Sequence, residues 1–119
     1  MKIKINPLDS LFSKFIRLRA GACEYCGKET RLECSHFHGR RKQTVRYDPD
    51  NACGLCFSCH QYLGENPYVH TEFFKKRLGS ERFEQLNIRA NMTIKEYPID
   101  KEKIKQDLES KIKLLGGTP

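Results

Sequence analysis

Apolar residues recur at helical spacing through residues 8–19, LDSLFSKFIRLR, where Leu8, Leu11, Phe12, Phe15 and Ile16 share one face. Asp9 or Ser10 is the expected cap, and Gly21 the stop. The pattern then changes. CEYCGKET (23–30) reads as a tight cysteine turn. RLECSHF (31–37) alternates like a short strand, and GRRKQTVRYDPDN (39–51) reads as a loop with a second strand around TVRY. Residues 54–63 predict a short helix halted by Gly64. VHTEFFKKRLG (69–79) and SERFEQLNIRA (80–90) predict two more short amphipathic helices, with Phe73, Phe74 and Phe83 suited to the core. In the tail, Ile104, Leu108, Ile112 and Leu115 form one stripe between an Asp100 cap and a Gly116 stop. That stripe packs on its own domain or joins two copies into a homodimer through the C-terminal helices; the pattern alone leaves both open. The fold class expected is α+β, mostly helical, in a single domain over residues 1–119.

Composition adds a constraint. Only 38% of the 119 residues are hydrophobic and 31% are charged, so the core is modest and gains from a further staple such as a metal. The net charge of +7 points to a polyanionic partner, most simply nucleic acid. Residues 1–62 carry 11 basic and 6 acidic residues, whereas 63–119 carry 11 and 9. The excess lies in the first half. MKIKINPLDS lacks the apolar run of a signal peptide and no stretch is suited to span a bilayer, so a cytoplasmic protein without a membrane partner is expected. In that compartment six cysteines read as thiols or metal ligands rather than disulfides.

Cys23 and Cys26 form one C-x2-C pair, and Cys56 and Cys59 another. Each pair turns two thiolates toward one ion, and together they complete a closed, tetrahedral sulfur site of the structural zinc type. The 29 residues between the pairs exceed what a simple zinc ribbon needs. Cys53 also stands in C-x2-C spacing to Cys56; the preferred assignment leaves Cys34 and Cys53 as core thiols.

Within this framework lie His36, Asn51 and His60, in CEYC…ECSHF…DPDNACGLCFSCH. The arrangement resembles the HNH endonuclease family, above all in N-x4-C-x2-C-H from Asn51 to His60. The flanks LFSKFIRLRAG and CHQYLGENP are similar to small phage- or prophage-type HNH proteins, and the likeness covers roughly residues 8–68. It implies a ββα-metal core with a structural zinc over residues 23–64. An N-terminal helix (8–22) and a helical C-terminal extension (65–119) flank it. It further implies a metal-dependent DNA endonuclease: His36 as general base, Asn51 stitching the loop that carries it, and His60 as ligand of a catalytic divalent ion. A monomer with one such site nicks, leaving 5′-phosphate and 3′-hydroxyl ends.

One position departs from the family. The residue before the base is usually an aspartate, or sometimes a histidine, that ligates the metal; here it is Ser35. His38 is a replacement candidate, since residues two apart in a strand face one side. Imidazole ligands suit manganese better than magnesium, so manganese is the expected activator. Arg40, Arg41, Lys42 and Arg46 are the expected phosphate contacts, which position DNA without reading its bases. Lys75, Lys76 and Arg77 extend that track or simply line an exposed helix face. His70 reads as structural. The rival function is a non-catalytic, zinc-stabilised DNA-binding module of a phage recombination complex, motivated by Ser35. RNA is a third substrate reading, because phosphate contacts do not discriminate by themselves.

Overall fold

The computed structural model describes residues 6–119. Residues 1–5, half of the stretch read above for a signal peptide, lie outside the described residues. Helix α1 spans Pro7–Ala20, β1 Glu33–His36, β2 Ala52–Leu55, α2 Phe57–Glu65, α3 Pro67–Leu78, α4 Ser80–Ala90 and α5 Lys101–Leu114. The class is α+β, mostly helical, with a single two-stranded antiparallel sheet among the described residues. None of these helices is long and apolar enough to cross a membrane.

Asn6, rather than Asp9 or Ser10, caps α1: its Oδ1 accepts from Leu8 N (2.9 Å) and Asp9 N (3.1 Å), with Pro7 opening the helix. Asp9 is thereby free to leave the cap and pair with Arg46. At the other end Gly21, at φ +70°, returns its N–H to Arg17 O.

The partner of β1 is ACGL, not TVRY. Register pairs Glu33 with Leu55, Ser35 with Cys53 and His36 with Ala52. The TVRY segment is instead held in a 3₁₀ turn over Gln43–Val45, with Val45 in the core and Thr44 Oγ1 donating to Arg89 O (2.6 Å). ACGL escapes a propensity reading because its residues are small, and small residues are what the site needs. A Cβ at Gly54 would stand 2.6 Å from Ala20 Cβ, so the glycine lets α1 lie directly against the sheet. The helix expected at 54–63 accordingly begins only at Phe57, and it runs through Gly64 to Glu65.

Three small cores result among the described residues. Phe12, Phe15 and Ile16 of α1 pack with Ala52 and with Leu108 and Ile112 of α5. The tail stripe is therefore covered within the chain, except Leu115, which lies past the last helical residue and is exposed. Leu32, Leu55, Leu63 and Phe74 enclose the cysteine turns, and Val45, Leu78, Leu86 and Ala90 join α3 and α4 to the loop. Glu24 ties these parts together, accepting from Gly54 N (2.6 Å) and from Arg77 Nε (3.0 Å).

Gly54→Ala overpacks the α1–sheet contact. It is expected to lower stability by about 1–3 kcal/mol, read from the midpoint of urea denaturation; an unchanged midpoint would refute the close-approach account.

Candidate metal centre and catalytic cleft

The sulfurs of Cys23, Cys26, Cys56 and Cys59 lie within 4.8 Å of one another, close enough to hold a structural metal such as zinc. Local backbone builds the site. The Cys23 turn closes through Gly27 N to Cys23 O (2.8 Å), and Glu24 N donates to Gly54 O (2.9 Å), docking it beside β2. Cys56 is the N-cap residue of α2, which places Cys59 in the first helical turn. Burial raises the Cys23 thiol, but N–H groups of Cys26, Cys56 and Tyr25 outweigh it and draw it down to about 6. Cys59 is pushed up by burial and by the three neighbouring thiols. Four cysteine sulfurs so close together are the donor set that zinc takes. Cys34 and Cys53 stand apart, each held near 12 by burial, as suits core thiols.

Beside this centre opens a cleft of about 700 Å³. Its walls come from α1 (Asp9, Ser13, Arg17), from the segment Arg31–Cys34, from His36, from Gly39 and Arg40, and from His60 on α2. His36 and His60 thus meet in one cleft although 24 positions separate them in sequence. No protein-family model, curated protein or solved structure matches the chain.

His36 ends β1 on the face that meets α1, its ring 5.6 Å from that of Phe12. Its Nε2 lies 3.3 Å from the carbonyl of Arg46. A carbonyl only accepts, so Nε2 carries the proton and Nδ1 keeps the lone pair of a base. Burial holds this imidazole below the ordinary histidine value, the Arg46 carbonyl opposing and Arg40 assisting. Asn51 is fully buried and stitches the loop: Oδ1 accepts from His38 N (2.8 Å), while Nδ2 donates to His38 O (2.9 Å) and Val45 O (3.1 Å). The neighbouring aspartates clip the same loop to α4, Asp48 to Arg89 and Asp50 to Arg82.

Three expected site residues are placed elsewhere. Ser35 is buried opposite Cys53, because strand alternation turns it to the other face from His36. His38 lies beyond the end of β1, so the rule of two does not reach it; its Nε2 sits 2.8 Å from Asn87 Oδ1 on α4. Neither lines the cleft. Arg46 is engaged by both oxygens of Asp9 and does not line the cleft. Arg77 is similarly held by Glu24 rather than extending a basic track, while Lys75 and Lys76 stay exposed. His70 packs against Phe37 and Phe74, as a structural histidine would.

Arg40, Arg41 and Lys42 remain exposed. Sequence reading missed Arg17, Arg31 and Glu33, all of which line the cleft. The helical register of LDSLFSKFIRLR already put Arg17 on the polar face, but only the packing of α1 on β1 makes that face a wall of the cleft.

One zinc per chain is expected by mass-spectrometric metal analysis. Cys56→Ser should lose it, whereas Cys34→Ala and Cys53→Ala should retain it even where stability falls. Loss of zinc from either of the latter would overturn the assignment of ligands.

Proposed function

We propose that the chain is a metal-dependent DNA endonuclease of the HNH type, built on a ββα-metal core formed by β1, β2 and α2. The observation that carries this reading is the convergence of His36 and His60 in a single cleft rimmed by Arg17, Arg31 and Arg40. A nuclease needs a base, a divalent-ion ligand and cations for phosphate, and the cleft offers one group for each.

Nδ1 of His36 takes the proton from the attacking water, the imidazole being held in register by the Asn51-stitched loop. Arg17, Arg31 and Arg40 receive the phosphate backbone, joined outside the cleft by Arg41 and Lys42. The donor set fits a divalent ion at His60, an imidazole half-exposed in the cleft with a carboxylate, Glu33, against it. Such an ion, when bound, stabilises charge on the phosphate and on the departing 3′ oxygen. With His38 engaged by Asn87, the preference for manganese over magnesium rests on the His60 imidazole. One cleft per chain makes the protein a nicking enzyme with little sequence preference.

Supercoiled plasmid incubated with the protein and manganese should relax to the open circle. His36→Ala should slow this by about 10²–10⁴-fold, the usual contribution of a general base, with zinc content and melting temperature unchanged. Tight DNA binding without cleavage in any divalent metal would instead establish a non-catalytic DNA-binding module, and cleavage confined to an RNA substrate would redirect the reading to RNA.

The pH profile has a definite sign. The base works neutral, and burial lowers its pKa, so nicking should persist at pH 6.5, the ordinary histidine value of about 6.5 notwithstanding. The rate should fall only as pH drops through a lower midpoint. A midpoint above the ordinary value in the pH dependence of kcat/KM would exclude His36 as that base.

A further inference from the structure

Glu33 opens β1, three residues before His36, and pairs across the sheet with Leu55. Its Oε1 lies 2.7 Å from Nδ1 of His60 on α2. At neutral pH a glutamate carboxylate only accepts hydrogen bonds, so the shared proton sits on the imidazole nitrogen. In the neutral imidazole this puts the proton on Nδ1 and leaves the lone pair on Nε2. Its backbone is already fixed, since His60 N donates to Cys56 O (2.9 Å) and Cys59 beside it belongs to the sulfur cluster. The ring is only partly covered: its side chain is 39% exposed and that of Glu33 43%. The remaining freedom is rotation of the imidazole and the choice of tautomer, and among the described residues the side chain bonded to the ring is Glu33.

We propose that Glu33 is the positioning residue of the His60 site, setting both the orientation of the imidazole and the nitrogen it offers to a divalent cation. The carboxylate absent at Ser35 is in this way supplied from two residues earlier on the same strand, acting through His60. Carboxylates that orient a ligating histidine commonly govern metal affinity by 10–100-fold. The inference deepens the nuclease reading and rests on it for the identity of the ligand, but its test does not depend on cleavage.

Two measurements on the zinc-loaded chain decide it. Long-range ¹H–¹⁵N spectra of the His60 ring should show the Nδ1-protonated tautomer, shifting toward the Nε2-protonated form in Glu33→Ala. Manganese titrated against free-ion electron paramagnetic resonance should bind about 10–100-fold more weakly to Glu33→Ala. Glu33→Gln, whose amide oxygen accepts the same bond, should recover most of that loss. His60→Ala marks the floor, and equal zinc content and melting temperature exclude a folding defect. Wild-type affinity in Glu33→Ala, or Glu33→Gln as weak as Glu33→Ala, overturns the proposal, as does a wild-type chain that binds no manganese. A protein that nicks DNA while Glu33→Ala binds manganese normally refutes this inference alone. Glu33-dependent binding with no cleavage of any nucleic acid refutes the nuclease reading alone.

Discussion

The convergence of two cysteine turns on one point is the constraint from which the rest of the molecule follows. Cys23 and Cys26 lie just after α1, and Cys56 and Cys59 at the start of α2. Bringing their sulfurs within 4.8 Å closes a loop of 29 residues. That loop holds β1, the basic segment and the DPDN turn. A chain with this little apolar content divides its interior into three small clusters, none large enough to fix the loop by burial alone. A metal held between the turns would join the cluster around Leu55 and Phe74 to the start of α2, and the first residue past the last of the four cysteines is His60.

Within the loop, charge is divided between structure and surface. Arg46 holds Asp9, Arg77 holds Glu24, and Arg82 and Arg89 hold the aspartates of DPDN. These contacts fasten the loop to α1 and α4 and leave Asn51 to tie its inside. Among the cations not so engaged, Arg17, Lys28, Arg31, Arg41 and Lys42 are exposed, and Arg40 reaches Asp9 only at 3.7 Å with most of its side chain in solvent. Three of the first-half cations, Arg17, Arg31 and Arg40, line the cleft, where Asp9 and Glu33 stand among them.

Much of the secondary structure was legible from residues 7–119, and the exceptions share a cause. The 3.6-residue spacing of α1, α3, α4 and α5 predicted each of them, because each buries one face on a neighbour. The second strand was misassigned because TVRY has the residue types of a strand and ACGL does not. Propensity reports side-chain fit to a generic surface, whereas β2 is set by the close approach of α1 at Gly54. The site residues follow the same division. Asn51 stitching a loop and His36 with His60 in one cleft agree in placement with what the resemblance to the HNH family implied. Ser35, His38 and Arg46 depart from expectation, because where each side chain points depends on the end of β1 and on partners 37 to 49 positions away.

The sequence by itself determined which atoms are available: four thiols in two turns, a scarce set of histidines, and a surplus of cations in the first half. Spacing reads such features because ligands in a tight turn are local in the chain. Only the tertiary structure decided which of these atoms meet. The pairing of Glu33 with His60 joins a strand to a helix across 27 positions, and Arg17 enters the cleft only because α1 packs on the sheet. No local pattern encodes such meetings, since they depend on how separately folded elements come to share one core.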